Sequence, residues 1–467
     1  MEFINILNDV LGPVMRGPSS SHTAGSHHIG RLVRSLLGEE PARAVITFDP
    51  DGSYAATYRQ QGVDLALAAA LLGWPITDRR FAQALTLAPK LGLKIEFKVA
   101  PLVKPEHPNT VAIEVAARSG RTLRATARSI GGGMIEVIEV DGRPVRLDGK
   151  SEAVLKAGGA MRTVPPLFFV RKGPAIFESA AEMVRLARRR RVSLGRIALA
   201  YEAQLLGLPE AEVLAEIGRR YEIMRDSVRR GLAGRGLAMK LLKPTAGKIF
   251  RTEAAKVLPA GGFHTKAAAR AMAALHVSNS GGVVCAAPTG GSAGVLPGVL
   301  VTLAEEGRLD REEIALALLA AGAVGLIVAR RATFAAEVAG CQVEIGVAGA
   351  MAAAAVVEAA GGGAVQAADA AAIALQNTMG SVCDLVQGMC EIPCHTRNAA
   401  AAASAFVCAD LVLGGYGNPI PLDETIDAAF ASGRMLPAEL RCTARGGIAM
   451  APSARALPLR KRPGDSP

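Results

Sequence analysis

All seven cysteines of this 467-residue chain fall between residues 285 and 442, and three of them, Cys341, Cys383 and Cys394, sit in Gly/Ala/Pro-rich apolar strings, EVAGCQVEIG and GSVCDLVQGMCEIPCHTRN. Thiolates in such surroundings suit an oxygen-labile iron-sulfur cluster, and with three of them one iron of a 4Fe-4S cluster would be left open to substrate. A disulfide framework would not leave one half of the chain empty. The spacing is none of the compact ferredoxin patterns, so a tetrahedral zinc site with Cys390 as fourth ligand is the alternative. Cys285, Cys390, Cys408 and Cys442 read as buried packing groups among small apolar residues.

The second chemical segment is at the opposite end. Residues 17–25 read GPSSSHTAG, which puts the side chains of Ser19, Ser20, Ser21, His22 and Thr23 in one run between turn-forming residues. Such a loop can surround a small polar ligand, with His22 available for proton transfer. By composition alone it reads equally as a capped turn whose hydroxyls satisfy backbone groups at a helix start. His27, His28, His107, His264 and His276 are expected in structural or surface roles.

The elements that must position these segments follow from periodicity and punctuation. HHIGRLVRSLLG is an amphipathic helix with Ile29, Leu32, Val33, Leu36 and Leu37 on one face, stopping at Gly38. RAVITFDPDGS, LKIEFKVA, TVAIEVAA, TLRATARSI and MIEVIEV alternate or run β-branched between Gly, Pro and Asp-Gly turns, and DLALAAALLG supplies another helix. The fold expected is an α+β N-terminal domain, its sheet mostly antiparallel, followed by an all-α, Ala-rich C-terminal domain. The expected boundaries are 1–160, a linker at 161–176 read from GGAMRTVPPLFFVRKG, 177–452, and an unordered tail at 453–467. Residues 1–12 are expected as a short helix of the first domain, and 349–376 as a buried helical hairpin hinged at 361–363.

Bulk properties exclude several classes. Half the residues are hydrophobic but only 4% aromatic, so the interior is built from Ala, Val, Leu and Gly. The longest apolar run, Ile314–Ala329, is shorter than the ~20 residues of a membrane span, and MEFINILNDV is no secretory signal. No membrane association and a cytoplasmic location are expected. The net charge of +11 raises nucleic acid, but RLARRRR at 185–191 carries no interleaved aromatics for base stacking. A solvated helix face is the reading, and no nucleic-acid partner is expected. So apolar a helical domain suggests a homo-oligomer.

Taken together, the cysteine strings and the hydroxyl-rich loop resemble the iron-sulfur L-serine dehydratases, in a fused arrangement with the β portion ahead of the α portion. Further matches are RSIGGGMI at 128–135, FESAAEMV at 177–184, CAAPTGGSAGVLPGVL at 285–300 and CTARGGIA at 442–449. The resemblance implies that Cys341, Cys383 and Cys394 ligate a 4Fe-4S cluster. It implies that L-serine loses its α-proton and hydroxyl to give aminoacrylate, then pyruvate and ammonia, without pyridoxal phosphate. Carried over in this way, His22 and Ser21 are the catalytic candidates. Ser19, Ser20, Thr23, Asp64, Thr289, Arg397 and Asn398 are the substrate-binding ones. Arg397 could pair with a carboxylate or belong to a surface or interdomain ion pair.

This chain also departs from the pattern. Gly290 replaces the Asn after the APT threonine, Val343 and Leu385 replace a Gly and a Pro near the cysteines, and Gln60 and Gln61 replace a Gly-His pair. The tail ends GDSP without a cysteine. L-threonine or another β-hydroxy amino acid is therefore the runner-up substrate. A non-enzymatic iron-sulfur sensor or nucleic-acid binder, and a cluster-free binding subunit, are the rivals from other classes.

Overall fold

The computed structural model describes residues 4–103 and 107–460. The chain divides into two compact units, Pro13–Arg171, and Met1–Gly12 together with Lys172–Pro467.

In the first unit a wide helical turn, Ser20–Ala24, runs directly into helix α1, Gly25–Leu37. Strand β1 (Pro41–Phe48), short helix α2 (Ser53–Thr57) and helix α3 (Val63–Leu71) follow. Then come β2 (Lys94–Val99), β3 (Thr110–Ala117), β4 (Thr122–Gly131), β5 (Met134–Val140) and β6 (Arg143–Leu147). These form one sheet in the order β2-β1-β3-β4-β5-β6. Only β1 and β2 run parallel; the other neighbours are antiparallel.

Strand side chains alternate faces, so Ala44, Ile46 and Phe48 of β1 point one way, beside Ile113 and Val115 of β3 and Leu123 and Ala125 of β4. That face packs on Leu32, Val33 and Leu36 of α1, the helix face read from the sequence. The loop that leads into α1 is thereby fixed on a helix buried against the sheet.

A separate hairpin closes the unit: β7 (Ala153–Ala157) and β8 (Ala160–Val164), antiparallel. Its turn is Gly158-Gly159, both at positive φ, which a two-residue hairpin demands and glycine supplies without a Cβ clash. Residues 161–164, expected in a linker, are thus strand. Periodicity missed them because the strand is short and flanked by Gly and Pro.

The second unit is largely helical. Its helices are α4 (Ala180–Arg190), α5 (Leu194–Leu206), α6 (Glu210–Ala233), α7 (Ala246–Ala254), α8 (Phe263–Asn279), α9 (Val295–Glu306) and α10 (Arg311–Arg331). Helices α11 (Ile345–Ala359) and α12 (Ala364–Gln376) make the expected hairpin. Next come a two-residue strand β9 (Cys383–Asp384), α13 (Cys394–Leu413), α14 (Leu422–Arg434) and strand β10 (Arg441–Thr443), which pairs with β9. Small residues let the helices approach closely: a Cβ on Gly231 of α6 would lie 1.9 Å from the carbonyl oxygen of Ala273 in α8. Helix α10 and the segment Cys341–Ala359 are long and apolar enough to cross a membrane, yet 78% and 89% of their apolar windows are buried inside the protein. The arginines of 185–191 are exposed at the C-terminal end of α4, where cations complement the helix dipole.

Residues 4–12 belong to this helical unit. Ile6–Val10 forms one wide turn whose Ile6 and Leu7 N–H groups each donate to the buried carboxylate of Glu202 at 2.9 Å. The Arg220 guanidinium donates to the Leu7 and Leu11 carbonyls. The tail expected as unordered from 453 opens with a helical turn, Pro452–Arg455, and Gln387 donates to the Ala454 and Leu457 carbonyls. Residues 461–467 of that tail lie outside the described residues.

Candidate active site

In the first unit the hydroxyl run wraps around one imidazole. Ser19, extended at φ −125°, accepts from the His22 backbone N–H, which starts the turn. Ser19 Oγ and Ser21 Oγ lie 3.2 and 3.1 Å from His22 Nδ1, and 3.2 Å from each other. On the other side of the ring, His22 Nε2 is 3.0 Å from Ser53 Oγ. The Tyr54 hydroxyl donates to the Ser21 carbonyl and accepts from Ser26, while its ring meets the His22 ring edge-on. Burial lowers the His22 pKa to about 4. The imidazole is therefore neutral near pH 7, with hydroxyls at both nitrogens.

The turn is capped, as the composition reading expects, and the same serines cage the imidazole. Ser19, Ser21 and His22 come together. Thr23 turns away and donates to the Gln61 carbonyl at 2.7 Å, and Ser20 is buried in the turn. Asp64, in the first turn of α3, accepts from the Leu65 N–H; burial raises its carboxyl to about 6. Ser53 and Tyr54 were not singled out from the sequence. The only signal for them is the Asp-Gly-Ser turn after β1, which reads as an ordinary loop. His27 and His28 are structural, with His27 Nε2 on the Trp74 carbonyl and His28 Nδ1 on the Gly133 carbonyl.

In the helical unit, five of the seven cysteines converge. Cys341 begins a single tight turn before α11, its N–H bonded to the Ser381 carbonyl; Cys383 is on β9; Cys394 is the first residue of α13. All three are buried. Burial, then Glu344 and Cys394, raises the Cys341 thiol. Hydrogen bonding to Cys442, then burial, raises Cys383, and the neighbouring Cys390 thiol does the same for Cys394. Cys390 and Cys442, expected as packing groups, therefore lie among the candidate ligands. Cys285 and Cys408 do pack elsewhere, Cys285 against the Leu11 carbonyl and Cys408 against Ser404.

Among the described residues no three His, Cys, Asp or Glu side chains are gathered as one metal ion would require. The three thiols come from separate elements, as expected when each binds a different iron of a polynuclear centre. Soft, buried donors of one kind fit an iron-sulfur cluster better than a hard cation.

Around the thiols, Thr289 Oγ1 donates to Glu344 and lies 3.0 Å from Ser292 Oγ. Glu344 is partly buried, and desolvation raises its carboxyl to about 7; its carboxylate and the Cys390 thiol flank Gly291. Glu344 was not singled out from the sequence. Arg397 forms an ion pair with the buried Asp384 at 2.9 Å and donates to the Val382 carbonyl at 2.6 Å, a pair inside the helical unit rather than the surface or interdomain one expected. Asn398 donates to the Gly291 and Cys394 carbonyls and accepts from the Gly294 N–H. Its amide is committed to holding the 289–294 loop against α13.

Comparison with known proteins places both units in one family. A protein-family model described as "Serine dehydratase alpha chain" matches residues 148–449. A Bacillus subtilis protein named "Probable L-serine dehydratase, alpha chain" is 36% identical over 282 residues, 60% of this chain and 94% of its own. From the same organism, a "Probable L-serine dehydratase, beta chain" is 46% identical over 147 residues, 32% of this chain and 65% of its own. An "L-serine dehydratase" of Mycobacterium bovis is 30% identical over 466 residues, covering 93% of this chain and 95% of its own. With more than half of its length under one family model and a relative that aligns across both units, this chain belongs to the serine dehydratase family.

Proposed function

We propose that this chain is an L-serine ammonia-lyase that uses a 4Fe-4S cluster held by Cys341, Cys383 and Cys394. The observation that carries the reading is the convergence of three buried thiols from three separate elements beside Glu344, Thr289 and Arg397. When bound, such a cluster supplies a Lewis-acidic iron that helps a β-hydroxyl leave as water.

The chain's own residues account for the rest. The Ser19 and Ser21 hydroxyls suit a substrate carboxylate or amine. His22, neutral and flanked by hydroxyls, can accept a proton at one nitrogen while the other stays hydrogen-bonded. Tyr54 and Ser53 hold that ring in place. Loss of the α-proton and the β-hydroxyl from L-serine gives aminoacrylate, which tautomerises to an imine and takes up water to release pyruvate and ammonia.

The test is anaerobic purification with iron and sulfide reconstitution, following absorbance and electron paramagnetic resonance during addition of L-serine while pyruvate is assayed. Cluster signals perturbed by serine, with pyruvate formed, are expected. An intact cluster blind to serine but responsive to L-threonine would move the substrate assignment. A protein that takes up no cluster would overturn the reading.

A further inference from the structure

Two thiols in the cysteine region, Cys390 and Cys442, have no part in the proposed chemistry, and Cys442 is placed for chemistry of its own. It lies on β10, which runs parallel to β9, with Cys383 opposite Arg441 and Asp384 opposite Thr443. The register shifts between those pairs. At Cys442 the backbone is left-handed, φ 61°, a conformation uncommon for a residue with a Cβ. Lying between Arg441 and Thr443, Cys442 is the diagonal neighbour of Cys383 across the strand pair, near enough that its thiol raises that of Cys383. Both are free thiols, Cys383 buried and Cys442 partly accessible. Neighbouring strands lie about 5 Å apart, inside the Cα separation that a disulfide tolerates.

We propose that Cys383 and Cys442 form a reversible disulfide whenever Cys383 is not bound to iron. Cys442, the accessible member, attacks a small disulfide such as oxidised glutathione, and one glutathione leaves as a thiol. Cys383 then displaces the second glutathione from Cys442. The two protein thiols give up two protons and two electrons, and the oxidant takes up both as two thiols. The bond holds Cys383 below the irreversible rungs of cysteine oxidation and keeps β9 on β10 until a reductant restores the ligand.

The inference rests on the reading of Cys383 as an iron ligand, and its test is read by mass rather than by turnover. Full-length protein is freed of iron anaerobically with a ferrous chelator, exposed to oxidised glutathione, alkylated and digested without reductant. The expected main product is a Cys383–Cys442 linked peptide that dithiothreitol abolishes. In iron-loaded protein the same link is expected to be at least about tenfold less abundant. Recovery of Cys383 free, glutathionylated or joined to another cysteine overturns the proposal. In Cys442→Ser, with its fold checked by circular dichroism, Cys383 is expected as the glutathione mixed disulfide; protection as complete as in the parent protein would also overturn it. Equal linking with and without iron would remove the iron dependence stated here, whether or not serine is turned over.

Discussion

Ser53 Oγ lies 3.0 Å from His22 Nε2, on the opposite side of the ring from Ser19 and Ser21. A neutral imidazole has one donor and one acceptor nitrogen, and a hydroxyl can pair with either, so Ser53 fixes the orientation of the ring in both tautomers. Under the role proposed for His22, Ser53 is a positioning residue. Ser53→Ala is expected to lower kcat by about 10- to 100-fold, within the range that positioned proton transfer contributes, with a smaller change in KM. Ser53→Thr, which keeps the hydroxyl, should recover most of the rate. Steady-state pyruvate formation checks both, and an unchanged kcat in Ser53→Ala would remove the relay from the mechanism.

Stability of the first unit should fall with acid, because its three buried histidines outweigh Asp64, whose carboxyl, raised by burial to about 6, favours the folded form as pH falls toward 3.8. Burial lowers His28 to about 4 and His27 to about 3, against 6.5 unfolded. The folded form binds fewer protons in this window, so stability is full above pH 6.5 and is lost as pH falls toward 4. At about 1.36 kcal/mol per pH unit, the ceiling is about 3 kcal/mol for His28 and about 5 kcal/mol for His27. The single tryptophan, Trp74, lies in this unit, so its fluorescence reports this unit's unfolding. The urea midpoint is expected to drop between pH 7 and pH 5, and the drop should be shallower in His28→Gln.

How far the sequence reaches is clear from particular residues. The five strands rich in β-branched residues and the face of α1 were legible because burial repeats with period 2 or 3.6 along them. The hairpin at 153–164 was not, since its Gly-Gly turn reads as linker. Residues 4–12 were not legible as part of the helical unit, because what ties them there is Glu202 and Arg220, far along the chain. In the site, residue types were legible and their duties were not. Asn398 and Arg397 looked available to substrate, yet backbone carbonyls and Asp384 occupy them. Ser53 and Glu344 carry no local signal, and only the fold brings them to His22 and Thr289.

The anchoring of residues 4–12 carries its own expectation. Glu202 accepts from Ile6 and Leu7 N–H groups in a fully buried setting. Glu202→Ala leaves the two buried Ile6 and Leu7 N–H donors without an acceptor, which should cost about 3 kcal/mol. Glu202→Gln keeps one acceptor oxygen and should cost less. Burial raises this carboxyl to about 7; the folded state then holds more protons than the unfolded one between pH 4.5 and 7. This contribution is lost as pH rises through that window, and Glu202→Gln should remove the trend. Urea denaturation followed by far-ultraviolet circular dichroism, with limited proteolysis of the N-terminus, measures both effects.

The cysteines can be sorted by iron content without reference to turnover. Cys341, Cys383 and Cys394 are buried on separate elements that meet around Glu344, whereas Cys408 packs with Ser404 and Asn377. If each of the three holds its own iron, removing any one leaves two thiolates for a cluster, and assembly should fail. Cys341→Ala, Cys383→Ala and Cys394→Ala are each expected to bind almost no iron after anaerobic reconstitution and to lack the broad visible absorbance. Cys408→Ala should match the parent protein. Cys390→Ala discriminates further: it should keep its iron under the three-ligand reading, and losing it would make Cys390 a ligand and leave substrate no open iron.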